Sequence, residues 1–487
     1  MNNKLRLTRR DFVGTAASAA AFTIVPQHVL GQTAPSNLVN VAVVGSGGHG
    51  AFVMTQMLKA GGIRVVALCD VDADFAGHVE TKKYGSNTII GLYRQFPDIP
   101  KYKDFRVMLD QEKNNIDAVV VTTPEHTHVP ASAMAMKMGK HVFSSKLLGH
   151  NIHEIRLATR LAEQHGVITQ MGIGNHTTEL FHQAVEIIQA GDIGEVRDVY
   201  VWCDNEWDPY QGPAAWPPRA VRNDYNPDRA DTQLREKLPI PAYLDWDLWL
   251  GPAKYHPYPG FGPGLYHPSN WRSWWDFGNG RIGDIGSHAV DLVFWALDLK
   301  YPLTAEGEGP GRAGLERVPP WQKATWTFPA RGNKPPVTVR WCHGNVRFDE
   351  LKHLDLPHDW AIAIHFVGSE GRLTLQIENG SPGSRPAGPM ELYPKAKFAN
   401  YTPPRRTLPR SPGNEYQQWI RAIRDNNPAG AEMPFSYSGP LSETLALGNV
   451  AYRVGKKIVW DAGKLKATNC PEADRFIRRE YRKGWTL

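Results

Sequence analysis

Residues 41–50 read VAVVGSGGHG, an apolar run that leads straight into a glycine-rich turn. The run predicts a buried strand, and the glycines have the G-x-G-x-x-G spacing with which a strand turns into a helix. A second apolar run, residues 63–69, ends at Asp70, 20 residues after Gly50. An acid at that distance is typical of sites where a carboxylate accepts hydrogen bonds from a ribose. Residues 41–70 therefore predict a strand–turn–helix–strand unit that binds a dinucleotide.

The glycine turn predicts where the phosphates of that dinucleotide would lie. Gly45 permits the tight turn, Gly47 lets the backbone approach a pyrophosphate, and Gly50 lets the helix pack close to the strand. The helix N-terminus adds free N–H groups and a positive dipole end. Asp70 favours NAD, and NADP is the less favoured alternative. The cofactor contacts predicted from this turn are Gly45, Ser46, Gly47, Gly48, His49 and Gly50.

Composition limits the possible functions. The chain has 487 residues, of which 41% are hydrophobic and 21% charged, so it predicts a globular protein of two or three domains. Its net charge is +6, but residues 1–31 hold four of the basic residues and one acid. The remaining 51 basic and 48 acidic residues argue against a nucleic-acid binder. The four cysteines are far apart and lack the spacing of a zinc site.

The N-terminus has the features of an export signal. Residues 8–13 read TRRDFV, a twin-arginine pattern, and a short apolar run follows over residues 16–25. That run is too short to span a bilayer, and no other stretch predicts a membrane helix. We expect residues 1–31 to be a twin-arginine signal peptide and the protein to be periplasmic or otherwise exported. The alternative is a basic N-terminus with no targeting role.

Strands and helices alternate through the first part of the chain. Apolar runs over residues 116–121, 140–143 and 167–172 predict buried parallel strands, with a helix between each pair. This alternation predicts a doubly wound parallel sheet, a Rossmann domain over residues 38–172 that binds NAD(P). Ligand contacts in such sheets come from the strand ends. The further cofactor contacts predicted there are Thr122, Thr123, Pro124, His126 and Lys146.

Residues 173–487 predict an α+β domain that binds substrate and joins subunits. Its strand candidates are residues 196–203, 323–328, 337–341, 361–367 and 371–376. They favour an open, mostly antiparallel sheet with one face available for substrate or for another subunit. A helix is expected over residues 440–457 with Pro440 in its first turn, and residues 378–412 are expected to be irregular. We expect the C-terminal helices to pack back on the first domain.

Several motifs together resemble the glucose–fructose oxidoreductase/inositol dehydrogenase (Gfo/Idh/MocA) family, and most closely its exported twin-arginine subgroup. The motifs are the glycine turn, Asp70, the TPEHTH segment at residues 123–128, and Lys146. The family shows E-K-P where this chain has Ser-Lys-Leu at residues 145–147. Residues 279–291 resemble the family's G-G-x-x-x-D-x-G-x-H-x-x-D helix. The resemblance implies a Lys–Asp–His catalytic set and an assembly of two or four subunits.

Lys146, Asp284 and His288 are the predicted catalytic residues. Oxidation of a sugar alcohol needs a base for the hydroxyl proton while hydride leaves carbon, and a histidine suits this role. A lysine at a strand end beside the nicotinamide can donate to the same oxygen. Asp284 lies four residues before His288, so one helical face would present both, and it could bind a neighbouring hydroxyl or orient the histidine.

Other residues are weaker substrate candidates. Asn175 and His176 follow the last predicted Rossmann strand and could reach substrate, although a helix cap is the alternative. Trp271 and Arg272 lie in a tryptophan-rich segment that predicts either a sugar-stacking wall or a core. Asp284 and His288 would contact substrate as well. No metal site is predicted, because two histidines two residues apart, His126 and His128, are poor zinc spacing.

Three functions are consistent with these residues. The first is an NAD(P)-dependent oxidoreductase acting on a sugar, a sugar derivative or a cyclitol. The second is a redox-assisted glycoside hydrolase or lyase, in which a ring hydroxyl is oxidised transiently and the aglycone is eliminated. The third is a binding protein without activity, suggested by the altered neighbours of Lys146. The expected partners are a small carbohydrate or cyclitol and further copies of the chain, with neither nucleic acid nor a membrane span.

Overall fold

The computed structural model describes most of the chain after residue 37. The described ranges are 38–73, 89–203, 236–261, 265–267, 270–310, 316–344, 346–354, 356, 360–377 and 387–487. The predicted signal peptide, residues 1–31, lies outside them. None of the helices within these ranges combines the length and the apolar character that a membrane span needs.

The first sheet places the glycine turn where the strand order reverses. Its strands are Val39–Val44 (β1), Ile63–Cys69 (β2), Lys101–Tyr102 (β3), Ala118–Val121 (β4), His141–Ser144 (β5) and Thr169–Met171 (β6). They are all parallel and are arranged in the order β3-β2-β1-β4-β5-β6. This is the doubly wound Rossmann order, whose reversal between β1 and β4 opens a crevice at the strand ends. The predicted fold of this part is confirmed.

Helices cover both faces of this sheet. They are His49–Ala60 (α1), Ile89–Gln95 (α2), Phe105–Gln111 (α3), His128–Lys137 (α4) and Ile152–Gln164 (α5). The strands β1 and β4 are buried almost throughout, because helices exclude water from both sides. Asn151 caps α5, its side chain accepting a hydrogen bond from the backbone N–H of Glu154. The cap of α5 and the burial of β1 and β4 on both faces thus agree with the residues at these positions.

The second sheet is mixed but mostly antiparallel, as predicted. Its strands are Val196–Cys203 (β7), Thr304–Glu308 (β8), Gln322–Phe328 (β9), Val337–His343 (β10), Ile362–Gly368 (β11), Arg372–Ile377 (β12), Ala387–Tyr393 (β13), Ile458–Asp461 (β14) and Lys466–Ala467 (β15). The order is β13-β12-β11-β7-β10-β9-β8-β14-β15. Only β10 and β7 pair in parallel among these described strands.

The helices of the second part lie on one face of this sheet or link it to the first. They are Glu179–Ala190 (α6), Trp246–Leu250 (α7), Gly280–Asp284 (α8), Gly286–Leu297 (α9), Glu415–Arg424 (α10), Phe435–Val454 (α11) and Asp474–Ile477 (α12). The apolar residues of α6, α9 and α11 share one core with the inner sheet face. On the outer face, Tyr200 and Trp202 are covered by a cluster that includes Leu351 and Trp360. This cluster covers that part of the outer face.

C-terminal helices contact the Rossmann sheet. Trp419 of α10 packs edge-on against Phe143 of β5, and both side chains are fully buried. Arg156 of α5 forms a buried bidentate ion pair with Glu443 of α11, with both N···O distances at 2.6 Å. Residues 39–487 form one compact unit, and the boundaries 38–172 and 173–487 stay predictions.

Two local predictions were wrong. Helix α11 begins at Phe435, so Pro440 lies inside the helix and not in its first turn. The buried Phe435, whose N–H donates to Thr169 Oγ1, fixes this earlier start through a tertiary contact. Residues 387–393 form strand β13 and not an irregular segment, because β12 supplies a partner for them.

The close approach of Gly50 to Gly45 in the glycine turn gives a testable prediction. A Cβ at Gly50 would lie 1.8 Å from the backbone oxygen of Gly45, which cannot move aside as a flexible side chain could. We expect Gly50→Ala to lower the free energy of unfolding by about 3 kcal/mol in denaturant titrations. Gly430→Ala is the control, because its Cβ would be 3.4 Å from that of Ala422. Equal unfolding free energies for Gly50→Ala and the wild type would contradict this packing.

Candidate active site

The glycine turn fits a dinucleotide. Gly45 has φ +85°, and a Cβ there would lie 2.8 Å from the backbone nitrogen of Thr123. Thr122 at the end of β4 donates from Oγ1 to the oxygen of Gly45 at 2.7 Å, which holds the two strand ends together. Ser46 is fully buried and donates to the backbone of Cys69. Helix α1 starts without a side-chain cap from the described residues, so its first turn offers N–H groups to a phosphate.

Asp70 lies at the end of β2 and holds the turn. Its Oδ2 accepts from the Gly47 N–H at 2.7 Å, and its Oδ1 accepts from the Asp72 N–H at 3.0 Å. Burial raises the pKa of Asp70 to about 7, against the opposing effect of these hydrogen bonds. The carboxyl group thus lies beside the turn, where the predicted ribose contact requires it.

Lys146, which follows β5, and Asp284, at the end of α8, form an ion pair. Lys146 Nζ lies 2.9 Å from Asp284 Oδ1, and the two side chains are 13% and 16% exposed. Arg272 Nε and an Arg281 guanidinium nitrogen each lie 3.5 Å from the same carboxylate. Burial opposes the charge on Asp284, but Lys146, Arg272 and Arg281 together hold its pKa well below the usual range. Asp284 is therefore a carboxylate at neutral pH and not a general acid.

His288 lies close to this pair. Burial, assisted by the charge of Lys146, lowers the pKa of His288 to about 3, while Asp284 opposes the shift. The imidazole is therefore neutral at pH 7, and its Nδ1 has no hydrogen-bond partner among the described residues. Asp284 ends α8 and His288 lies in the first turn of α9, so two helices joined at Ile285 present them, not one continuous helix.

His49 connects the glycine turn to the same cluster. It is the first residue of α1, and burial lowers its pKa to about 3. The charges of Lys146 and Arg272 lower that pKa further, and Asp284 opposes them. The turn predicted to bind cofactor and the predicted catalytic groups are thus within electrostatic reach of one another.

The turn that carries Lys146 is fixed by His128. Its Nδ1 lies 2.7 Å from the backbone oxygen of Leu147, and its Nε2 lies 2.7 Å from that of Thr123. The Lys146–Leu147 peptide bond is cis. These contacts join the ends of β4 and β5, the two strands from which Thr123, Pro124 and Lys146 were predicted to contact cofactor.

Some predicted residues are buried in other contacts. His126 is fully buried, with Nε2 2.9 Å from the Trp249 oxygen and its ring against Phe277. His176 stacks on Trp295 with ring centroids 4.0 Å apart, and its Nδ1 lies 3.0 Å from both oxygens of the buried Asp291. These contacts give both histidines a packing role, and their assignment to cofactor and substrate stays a prediction.

The remaining substrate candidates divide between core and site. Trp271 is 7% exposed and belongs to a buried aromatic cluster, which favours the core interpretation for it. The guanidinium of Arg272 lies 4.2 Å from the Trp271 ring centroid, and its side chain stays 33% exposed. Asn175 lies in the 3-10 turn Gly174–Thr177, where its backbone oxygen accepts from Thr178. The described part of the chain brings no three metal-ligating side chains together.

Glu125 was not among the predicted site residues, although its neighbours Pro124 and His126 were predicted to contact the cofactor. The side chain is 1% exposed, and its Oε2 accepts from Asn279 Nδ2 at 2.8 Å. Its Oε1 has no hydrogen-bond partner among the described residues and would lie 3.3 Å from a Cβ at Gly283. Burial raises the pKa of Glu125 to about 7, although Asn279 and Arg272 oppose the shift. A charged residue between Pro124 and His126 at a strand end was the available signal. Arg281, three residues before Asp284, was missed as well.

The raised pKa of Glu125 predicts a pH dependence of stability. Glutamate in the unfolded chain ionises near pH 4.3, whereas Glu125 in the folded chain stays protonated until about pH 7. Its contribution is therefore complete below about pH 4 and is lost as the pH rises through 7. We expect Glu125→Gln to gain about 3 kcal/mol of unfolding free energy relative to the wild type between pH 4 and pH 8.

Denaturant titrations across that range, with Glu163→Gln as a control at an exposed helical glutamate, measure this change. A difference between Glu125→Gln and the wild type that does not vary with pH would refute the assignment.

Family models match two parts of the chain. Residues 39–173 match the GFO_IDH_MocA model, described as an oxidoreductase family with an NAD-binding Rossmann fold. Residues 228–333 match the GFO_IDH_MocA_C2 model, the C-terminal alpha/beta domain of the oxidoreductase family. The first match contains the glycine turn, Asp70 and Lys146, and the second contains Asp284 and His288.

Relatives of known name match over part of their length. A glycosyl hydrolase family 109 protein of Stenotrophomonas maltophilia is 26% identical over 149 residues, 30% of this chain and 31% of the relative. The scyllo-inositol 2-dehydrogenase (NAD(+)) of Bacillus subtilis is 33% identical over 84 residues, 17% of this chain and 25% of the relative. The chain thus spans about a third or less of these two relatives.

Among solved structures, the fold is similar to an inositol dehydrogenase homologue from Azotobacter vinelandii, complexed with NADH and myo-inositol. That likeness has a TM-score of 0.52 at 16% identity and covers 87% of this chain and 98% of the other. It supports the two-sheet architecture. The two family-model matches and the partial matches to named relatives support an assignment to the GFO/IDH/MocA oxidoreductase family.

Proposed function

We propose that this protein is an NAD-dependent oxidoreductase that transfers hydride between a tightly bound nicotinamide cofactor and a hydroxyl carbon of a sugar, a sugar derivative or a cyclitol. The observation that carries the proposal is the Lys146–Asp284 ion pair with His288 beside it, within reach of the glycine turn. The match of residues 39–173 to an NAD-binding Rossmann model supports the cofactor class. The name of the Bacillus subtilis relative supports a cyclitol or sugar substrate.

The three residues divide the chemistry of alcohol oxidation. A nicotinamide cofactor held by the glycine turn would supply the hydride acceptor for this reaction. His288, neutral at pH 7, takes the hydroxyl proton as the C–O bond becomes a carbonyl. The Lys146 ammonium donates a hydrogen bond to that oxygen and stabilises its developing charge. Asp284 holds Lys146 in place through the 2.9 Å contact.

Asp70 supports NAD over NADP. Its carboxyl lies beside the glycine turn, where it can accept hydrogen bonds from ribose hydroxyls. A 2′-phosphate at the same place would lie against this acidic group and be repelled wherever the pH is high enough to ionise Asp70.

The alternative function is a glycoside hydrolase or lyase that uses the same hydride step transiently. Oxidation of a ring hydroxyl to a ketone acidifies the adjacent C–H, and loss of that proton expels the aglycone, which takes up a proton and leaves as its alcohol. In the hydrolase case water then adds to the unsaturated ketone, and in both cases the hydride returns to the ketone carbon. The glycosyl hydrolase family 109 relative favours this alternative. Both functions use Lys146, Asp284 and His288, so they differ only in the net reaction.

Export and assembly complete the proposal. The twin-arginine pattern at residues 8–13 supports export of the folded protein, with its cofactor retained. A homo-oligomer, a dimer or tetramer, rests on the family resemblance alone.

Substitution of the catalytic residues tests the roles. We expect Lys146→Ala and His288→Ala each to lower turnover by at least about 100-fold on any polyol that the wild type oxidises. Both should keep the bound nucleotide, measured by absorbance after denaturation. Lys113→Ala is the control, because Lys113 is an exposed lysine just after α3. Near wild-type turnover in either site variant would show that the roles are wrong.

A second experiment separates the net reactions. The purified protein is denatured, and the released nucleotide and its redox state are identified by mass spectrometry and absorbance. The native protein is then given polyols and aryl glycosides without added cofactor. A dehydrogenase should stop after one equivalent of bound NADH, whereas a hydrolase should turn over glycoside repeatedly without net NADH. Absence of any nucleotide and of NAD binding would refute both functions.

A further inference from the structure

An aromatic segment of the second part is attached to the chain directly after Asp70. We call residues 243–277, as far as the structure describes them, the aromatic strap. The Ala73 N–H donates to the Tyr243 oxygen at 3.1 Å, and the Asp245 N–H donates to the Val71 oxygen at 2.8 Å. Asp72 and Leu244 form an antiparallel bridge between these two bonds. The strap is therefore joined to the segment that follows β2 by an isolated antiparallel bridge.

A buried contact between His267 and Asp72 reinforces this attachment from further along the strap. His267 Nε2 lies 2.8 Å from Asp72 Oδ2, with the side chains 7% and 0% exposed. The aspartate and the histidine are 195 residues apart in sequence. The ring of His267 packs edge-on against Trp249 of the same strap. Because the pair is shielded from water, losing either partner would remove a buried hydrogen-bonded contact between the strap and the chain after β2.

Asp72 also contacts Asp70. The Asp72 N–H donates to Asp70 Oδ1 at 3.0 Å, while Asp70 Oδ2 accepts from Gly47 at 2.7 Å. The side chain and the N–H of Asp72 thus bind the strap and the predicted ribose-binding carboxylate, respectively. Movement of Asp72 would reorient that carboxylate relative to the glycine turn.

The strap also contacts the segment that follows β4, on the other side of the crevice. The Trp249 oxygen lies 2.9 Å from His126 Nε2, after β4. Gly251 lies so close to Thr127 that a Cβ would be 2.7 Å from its methyl carbon. One segment therefore contacts the chain after β2 and after β4, the two strands that flank β1 and its glycine turn.

We propose that Asp72 and His267 are positioning residues of the cofactor site, through which the aromatic strap fixes Asp70 for the adenosine ribose and slows dissociation of the nucleotide. This inference rests on the proposed function, since it requires that the chain binds NAD. It assigns the retention of the cofactor to an element outside the Rossmann sheet. The strap acts through Asp70 and does not need to touch the nicotinamide.

The test compares ligands that do and do not carry the adenosine ribose. The full-length protein, freed of bound nucleotide, is titrated with NADH, ADP-ribose and reduced nicotinamide mononucleotide. We expect His267→Ala to weaken NADH and ADP-ribose about tenfold, because a buried hydrogen-bonded contact is lost. Affinity for the mononucleotide, which has no adenosine ribose, should stay within about twofold of the wild type. NADH dissociation should accelerate by a similar factor of about ten.

Two further variants make the result specific. His267→Gln retains a side-chain N–H donor near the position of Nε2 and should restore most of the affinity. His256→Ala removes another strap histidine, one that bonds Asp276 within the strap and not Asp72, and should leave all three affinities unchanged.

Equal weakening of all three ligands in His267→Ala, or the same loss in His256→Ala, would reduce the pair to general support of the fold and overturn the inference. Unchanged NADH and ADP-ribose binding in His267→Ala would overturn it as well, while leaving the proposed function intact. A wild-type protein that binds none of the three ligands would overturn the inference and the proposed function together.

Discussion

The ion pair between Lys146 and Asp284 is the contact on which the rest of the site depends. It joins a strand-end turn of the Rossmann sheet to a helix that leads into the second part, and little of either side chain is exposed. Since a charge so placed is costly without its partner, each half of the molecule is held to the other at the reactive site. The neutral imidazole of His288 and the glycine turn are arranged around this pair. The pair is therefore one of the contacts that join the Rossmann sheet to the helix carrying Asp284, and the Ser-Lys-Leu sequence in place of E-K-P does not prevent it.

Local sequence predicted the parts of the fold that depend on local physics. The glycine turn, Asp70 and the lysine at the end of β5 all follow from spacing around buried strands, and the structure places them at one edge of the parallel sheet. Strand β9 alternates buried and partly buried positions, so its two faces could be read from the residues. Strand β7 is buried at each of its last five residues, and its burial does not alternate. The order of the strands in the second sheet could not be predicted from local sequence, because it is set by pairing between segments that are distant in the chain.

The missed features depend on tertiary contacts. Helix α11 continues through Pro440 because its start is fixed in the core by Phe435, and β13 exists because β12 supplies its hydrogen-bond partner. Glu125 becomes a site group only when Asn279, 154 residues later, closes over it. The same holds for Asp72 and His267. Such pairs have no signature in spacing. The tryptophan-rich segment that contains Trp271 left a sugar-stacking wall and a core as alternatives, and its tryptophans are buried.

A crystal structure of the protein with NADH bound would test the central claim most directly. The measured quantities are the distances from C4 of the nicotinamide ring to Lys146 Nζ and to the His288 ring. We expect Lys146 Nζ and the His288 ring to face one space beside C4, in which a substrate hydroxyl carbon could lie about 3–3.5 Å from C4. A nicotinamide outside that space, or Lys146 and His288 opening into separate cavities, would contradict it.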